Sequence, residues 1–235
     1  MSLPCPTIAA LSSPAQKPCQ PRPGDCADRL RRSGLVRANK GIDLNKDRLA
    51  AFSDGVLAII ITIMVLELKV PHGADWAALS ALLPIFLSYT LSFIYVAIYW
   101  NNHHHLLHTV KHVNGAILWA NNNLLFWLSL VPFATAWAGE THFAREPTIL
   151  YGFALLMPAI SFTILTTAIV RTHPNEPTLA KALGRDAKGK VSMALYIGGI
   201  ALAFVHPSVA YTCYGLVALI WLVPDRRIER ELKHE

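Results

Sequence analysis

Apolar residues in this chain are gathered into six blocks, separated by shorter segments that carry most of the charged residues. The blocks are Ala50–Leu68, Trp76–Trp100, Val113–Ala138, Pro147–Val170, Val191–Val205 and Ser208–Val223. A helix needs about 20 predominantly apolar residues to cross a bilayer, and the first four blocks are close to that length or longer. They therefore predict four membrane-spanning helices.

The last two blocks are shorter and lie close together. One helix from Val191 to Val223 would contain 33 residues and would be about 50 Å long, which is too long for a single span. His206-Pro207 interrupts it, because proline breaks a continuous helix. We predict two short spans joined by a tight turn, and hence an all-α polytopic membrane protein with six transmembrane helices per subunit.

Composition supports a membrane protein and divides the chain into three parts. The 235 residues are 53% hydrophobic, with a mean hydropathy of +0.37, which is unusual for a soluble domain. Residues 1–45 are rich in Pro, Ser and Arg, and they predict a disordered basic cytoplasmic tail. Residues 46–230 hold the six-helix transmembrane domain, and residues 231–235 form a short cytoplasmic C-terminal tail.

The basic residues predict the orientation of the spans. With six spans and a cytoplasmic N-terminus, the inner segments hold 19 of the 21 Lys and Arg residues, leaving only Lys69 and Arg145 outside. Such an excess follows the positive-inside rule. We therefore expect a multi-pass protein of the cell membrane with both termini cytoplasmic. The basic tail suits anionic lipid rather than nucleic acid.

The first apolar block opens with a polar motif. Arg48, Phe52, Ser53 and Asp54 come at the start of a span that ends near a second acid, Glu67. Ionisable groups near hydrocarbon are costly, so they indicate a functional site or a specific packing contact. Helix capping by Ser and Asp explains one acid near a helix end. It does not explain the four motif residues together.

This motif resembles the opening of the first transmembrane helix in the transmembrane protein 175 family of endosomal and lysosomal potassium channels and their bacterial relatives. The resemblance continues at Tyr99–His104 and Pro132–Trp137 and covers roughly Asp47–Arg230. It implies an oligomer, a tetramer in that family, whose first helices line a central pore. The chain resembles the bacterial type, which has one six-span unit.

Helical geometry places Ile59, Thr62, Ile63 and Leu66 within about 100° of one another on the first span. An apolar stripe of this kind is ordinarily a lipid-facing or helix-packing surface. The resemblance adds a different interpretation, in which Ile59 forms the main constriction of the ion path. Thr62, Ile63 and Leu66 then lie beyond it along the pore.

Asp54 lies about 140° from Ile59 and is predicted to face away from the pore. A buried carboxylate needs hydrogen-bond donors. Candidate donors and motif partners stand at the end of span two and within span three, among them Asn102, His103, His105, Asn121 and Asn122. We expect Arg48, Ser53 and Asp54 to form a polar clasp that fixes the first helix against the second and third.

Five histidines, His103, His104, His105, His108 and His112, raise the question of a metal site. The pairs His104/His108 and His108/His112 are spaced i, i+4 and can share a helix face. Solvated or hydrogen-bonded histidines at the cytoplasmic interface are the favoured interpretation, so no metal or cofactor is expected. Metal binding and proton sensing stay open as alternatives.

The resemblance, taken together with these observations, implies a potassium-preferring cation channel. Its partners are potassium ions, the bilayer and other copies of the chain, in a homotetramer. It lacks the Thr-Val-Gly-Tyr-Gly carbonyl filter. The main alternative is a secondary transporter for protons or organic cations, which would be expected to show ionisable residues at mid-membrane depth. A metal-dependent intramembrane enzyme would rest on the histidines alone. No nucleophile–base pair or nucleotide-binding motif points to an enzyme.

Overall fold

The structure is a computed structural model that describes residues 41–174 and 187–222. Within these ranges the regular secondary structure is entirely helical, which confirms the predicted all-α class. The helices are α1 (Gly41–Leu66), α2 (Trp76–Ser80), α3 (Leu83–His108), α4 (Gly115–Ser129), α5 (Val131–Glu140), α6 (Arg145–Thr172), α7 (Ala187–Ala203) and α8 (Pro207–Leu222).

Four stretches are long and apolar enough to cross a membrane. They are Lys46–Leu66, Leu83–His108, Gly115–Glu140 and Arg145–Thr172. They correspond to the first four apolar blocks. The helices α7 and α8 have 17 and 16 residues, and the number of spans therefore stays a prediction at six.

The tails predicted at the two ends of the chain fall mostly outside the described residues. Helix α1 begins at Gly41, five residues inside the segment 1–45 that was expected to be a disordered tail. Residues 1–40 and the C-terminal segment 231–235 lie outside the described part of the chain. The same holds for Lys181 and Arg185, which contributed to the predicted orientation.

The second apolar block forms two helices rather than one. Asp75 caps α2 with its side chain, which accepts a hydrogen bond of 2.9 Å from the backbone N–H of Ala78. Helix α3 then begins at Leu83 with Pro84 in its first turn, where a missing N–H costs nothing. It continues two turns beyond Trp100, to His108.

The third block is divided at Leu130, between α4 and α5. Pro132 explains the division, because it cannot donate the N–H that a continuous helix would need at that point. At the other end of α4, the Asn114 side chain accepts a hydrogen bond from the N–H of Ile117 and donates one to Thr172 at the end of α6. The break predicted at His206-Pro207 is present, because α7 ends at Ala203 and α8 starts at Pro207.

Buried side chains form two clusters. The aliphatic core lies between α1, α3, α4 and the end of α6, and includes Leu57, Ile60, Met64, Val96, Ile117, Leu124, Leu128, Leu165 and Ile169. The tyrosine core lies between α3, α5, α6, α7 and α8, and includes Tyr95, Ala134, Tyr151, Leu155, Tyr196, Ala203, Ala210, Tyr214 and Val217. Helix α1 contributes only to the aliphatic core, so it is attached to the rest of the chain along one side.

Candidate functional site

Helix α1 presents two contrasting faces. Leu57, Ile60 and Met64 are buried in the aliphatic core. Ile59, by contrast, is 58% exposed although it is adjacent to Ile60, which is 3% exposed. Because consecutive residues on a helix differ by about 100° in direction, the neighbouring isoleucines mark the boundary between a packed face and an open one.

The open face carries the residues that the sequence singled out for a pore. Thr62 and Ile63 are exposed, and Leu66 is 80% exposed. The Thr62 hydroxyl donates to the carbonyl oxygen of Ile59 at 2.9 Å. Its own oxygen therefore stays on the open face as an acceptor. The arrangement is a largely apolar strip with one polar oxygen.

A groove of about 460 Å³ runs along one side of this strip, between α1 and the α4–α5 segment. Ile59 and Ile63 line it from α1, and Pro132 and Phe133 line it from α5. Glu67 also lines the groove and is exposed. The chain thus leaves an apolar surface beside α1 that its own described helices do not fill.

The motif serine is the first member of a buried hydrogen-bond chain. Ser53 is 0% exposed and its hydroxyl donates to the carbonyl oxygen of Leu49 at 2.8 Å. Asn121 on α4 donates from Nδ2 to the Ser53 hydroxyl oxygen at 3.0 Å. Oδ1 of Asn121 lies 2.7 Å from Nε2 of His103 on α3. These hydrogen bonds therefore connect α1, α4 and α3 at one point.

The direction of these hydrogen bonds assigns the protons. Because the Asn121 amide nitrogen donates to Ser53, its carbonyl oxygen is an acceptor, and His103 must donate from Nε2. Nδ1 of His103 is buried and has no hydrogen-bond partner among the described residues. This is consistent with a neutral imidazole in which Nδ1 carries the lone pair.

The motif aspartate has a partner that the sequence did not suggest. Trp100 on α3 donates its indole Nε1–H to Oδ1 of Asp54 at 2.9 Å. The sequence pointed to asparagine and histidine donors. An indole N–H is a donor like an amide, and Trp100 is next to the Asn101–His105 run.

The other candidate partners lie outside this network. Asn102 donates to the carbonyl oxygen of Ile98 on its own helix, and Asn122 is exposed. His105 contacts His104 edge-on. Arg48 is exposed and makes no hydrogen bond or ion pair with another described residue, and Phe52 is 58% exposed on the open face of α1. Ser53 and Asp54 therefore make the motif's described side-chain contacts.

The histidine run separates into pairs. Nε2 of His104 and Nε2 of His108 are 3.1 Å apart, and the His112 ring stacks on His173 at a centroid distance of 6.1 Å. Within the residues that the structure describes, no group of three or more His, Cys, Asp or Glu side chains is arranged to hold a metal ion.

Comparisons with known proteins agree with the motif. The sequence model of the family "Endosomal/lysosomal potassium channel TMEM175" matches residues 48–132. A potassium channel of Chryseobacterium sp. (strain P1-3) is 58% identical over 190 residues, which cover 81% of this chain and 99% of that protein. The Homo sapiens endosomal/lysosomal proton channel TMEM175 is 36% identical over 116 residues, 44% of this chain and 23% of the human protein.

A solved structure shares the fold. The crystal structure of a lysosomal potassium-selective channel TMEM175 homologue from Chamaesiphon minutus matches with a TM-score of 0.68 and 28% sequence identity. The match covers 76% of this chain and 97% of that structure. The described helices are therefore arranged as in that channel homologue.

Proposed function

This chain belongs to the TMEM175 family of ion channels, and we propose that it is a potassium-preferring cation channel. The family and the relatives are named for ion channels and not for enzymes. Potassium is proposed because the bacterial relatives are named potassium channels. Some animal relatives are named proton channels, so protons are the permeant ion that an experiment must exclude.

One observation carries the proposed pore. Ile59 is exposed and the adjacent Ile60 is buried, so the strip of Ile59, Thr62, Ile63 and Leu66 is left exposed by the described residues of its own chain. A single helix cannot enclose an ion path, and closed symmetry is the rule for homo-oligomers. We propose a homotetramer in which four α1 helices face one another through this strip.

The chemistry of the strip suits a gate. At Ile59 a passing cation would lose hydration without gaining carbonyl ligands, so a small change in radius switches the ring between dry and wet. Thr62, one turn further along, offers an oxygen from each subunit. The preference for potassium over sodium would then come from the lower cost of dehydrating the larger ion.

We propose that the polar contacts at the start of α1 set its position as a clasp. The Ser53–Asn121–His103 chain fixes α1 to α4 and α3, and the Trp100–Asp54 bond fixes it to α3 a second time. Both contacts lie about one and a half turns before Ile59, so a change in either would rotate or tilt the constriction. Arg48 and Phe52 are exposed and available to a neighbouring subunit or to lipid.

The proposed setting is the cell membrane with both termini in the cytoplasm. The support is the distribution of Lys and Arg in the sequence, 19 to 2 in favour of the inner segments. A reporter that is active only in the cytoplasm, fused after Glu235, should be active. If instead a reporter that works only outside the cell were active at this position, the C-terminus would be external and the proposed orientation would be wrong.

Substituting the two adjacent isoleucines tests the pore directly. Ile59→Asn should wet the constriction, raise single-channel current in a bilayer and lower the preference for potassium over sodium. Ile60→Asn introduces the same amide into the aliphatic core, where an unpaired polar group costs about 1–3 kcal/mol. It should reduce the yield of folded protein without raising the current of the channels that do form.

Ion substitution completes the experiment. Reversal potentials measured with potassium, sodium and a proton gradient identify the permeant ion for the unaltered chain and for Ile59→Asn. Equal effects of Ile59→Asn and Ile60→Asn on current would reject the constriction at Ile59. Current carried by protons in the unaltered chain, without potassium permeation, would reject potassium as the permeant ion.

A further inference from the structure

The last two turns of α3 carry a histidine pair that neither the clasp nor the proposed pore uses. His104 and His108 are spaced i, i+4, and their Nε2 atoms approach to 3.1 Å. Both rings are therefore turned toward one point outside the helix. Both residues are exposed, so water and ions reach this point. At this distance one Nε2–H donates to the other Nε2.

The distance between the two nitrogens is compatible with chelation of a metal ion. Imidazole nitrogens bind zinc and similar ions at about 2.0–2.1 Å. Two such bonds to nitrogens 3.1 Å apart enclose an angle of about 98° at the metal, between the octahedral and tetrahedral values. A metal ion would displace the proton that now lies between the two Nε2 atoms.

Neighbouring side chains hold one of the two rings in place. Trp100 stacks on His104 with a centroid distance of 5.7 Å and an interplanar angle of 30°. His108 meets His104 edge-on, at a centroid distance of 4.5 Å. Trp100 is itself held by the hydrogen bond from its indole to Asp54. Little rotamer freedom is left for His104 to lose on binding, which favours affinity.

We propose that His104 and His108 form a bidentate site for one borderline transition-metal ion per chain, of the class Ni²⁺, Zn²⁺ or Cu²⁺, with water in the remaining positions. Imidazole ligands select these ions over Mg²⁺ and Ca²⁺. One charge opposes binding, because the Lys46 ammonium group donates to the carbonyl oxygen of His108 at 2.9 Å. Removing that charge should therefore tighten the site.

Calorimetric titration of Ni²⁺ into the untagged, purified full chain tests the site. The unaltered chain should bind one Ni²⁺ per chain at this site. Losing an outer partner of a metal ligand typically costs 10–100-fold in affinity, so losing a ligand in His104→Ala or His108→Ala should weaken binding by at least about tenfold. His105→Ala and His112→Ala are matched controls from the same run of histidines and should bind as the unaltered chain does. Lys46→Met should bind more tightly.

The histidine variants could lose binding because they misfold. Two further measurements therefore use proteins that keep both His104 and His108. The electron paramagnetic resonance spectrum of the Cu²⁺-loaded unaltered chain should show coupling to two imidazole nitrogens. Ni²⁺ should quench tryptophan fluorescence in the unaltered chain, and Trp100→Phe should remove that quenched component while Ni²⁺ still binds. Unchanged affinity in both His104→Ala and His108→Ala, or a Cu²⁺ spectrum with coupling to one nitrogen or none, would overturn the site and leave the proposed channel function untouched.

Discussion

The two hydrophobic cores of this chain are built from different side chains and leave different amounts of freedom. The aliphatic core is made of leucine, isoleucine, methionine and valine, and one of its helices, α1, is covered on one side only. The tyrosine core packs large rings against alanine and glycine on α6, α7 and α8.

Ring positions in the tyrosine core are fixed by polar contacts as well as by packing. The Tyr95 hydroxyl donates to the carbonyl oxygen of Tyr214, and the Tyr151 hydroxyl is 2.8 Å from that of Ser92. Thr135 donates to Ser92 in turn. This region is therefore tied together on several sides, whereas α1 is held by one apolar side and by three side-chain hydrogen bonds to α3 and α4.

The largest expected effect comes from filling a glycine notch of the tyrosine core. A Cβ atom at Gly199 would lie 2.5 Å from Cε1 of Tyr214, a ring that its packing holds in place. Overpacking of this kind typically costs about 1–3 kcal/mol. Gly199→Ala should therefore lower the melting temperature of the purified protein and its recovery as a single oligomeric species.

The adjacent glycine provides the control. A Cβ atom at Gly198 would meet no atom within 4 Å, and alanine favours a helix over glycine by about 1 kcal/mol. Gly198→Ala should leave the melting temperature unchanged or raise it. Equal melting temperatures for the two variants would show that the tyrosine core is not rigid, and the contrast between the cores would be lost.

An intermediate effect is expected at the polar end of the aliphatic core. Asn121→Leu removes the amide between Ser53 and His103 and leaves the Nε2–H of His103 without an acceptor in a buried position. An unpaired buried donor costs about 1–3 kcal/mol. Folded yield and melting temperature should both fall. Asn122→Leu changes the next residue, which is exposed. If Asn122→Leu lowered the folded yield and the melting temperature as much, the buried hydrogen bonds from Ser53 to Asn121 and His103 would not be what holds α1.

The smallest effect is expected at Trp100. Trp100→Phe keeps an aromatic ring but removes the N–H that Asp54 accepts. The site is partly exposed, with Trp100 at 42%, so water replaces part of the bond, and the loss of stability should be about 1 kcal/mol or less. Because the bond positions α1, the open probability of the channel should change more than its stability does. Trp119→Phe, at a residue that is 76% exposed, is the control. If Trp100→Phe and the unaltered chain had the same open probability, the hydrogen bond between Trp100 and Asp54 would have no part in the proposed clasp.

Sequence periodicity predicted much of the fold because long apolar blocks and prolines act locally. The four long blocks and the break at Pro207 follow from length and from the missing proline N–H alone. The division of the third block at Leu130 depends on the same property of Pro132, but the block read as one apolar stretch. Pairing between helices was harder to predict, because it depends on rotation and depth together.

The motif shows where that difficulty lies. The sequence predicted that Ser53, Asp54, His103 and Asn121 are neighbours, and hydrogen bonds join Ser53 to Asn121 and Asn121 to His103. It did not separate them into two contacts, with Asn121 and His103 on Ser53 and Trp100 on Asp54. Adjacent residues such as Ser53 and Asp54 point about 100° apart, so they reach different helices, and spacing alone does not say which.

The division of the third span at Leu130 has a mechanical consequence. Ser129, Pro132 and Phe133 line the same groove as Ile59 and Ile63, so the joint between α4 and α5 lies level with that part of α1. On one side of this joint, α4 is hydrogen-bonded to α1 through Asn121 and Ser53. On the other side, α5 is hydrogen-bonded to α3 through Thr135 and Ser92. A hinge motion at Leu130 would therefore move the α5 residues that lie beside Ile59 while the hydrogen bond between Asn121 and Ser53 stayed intact.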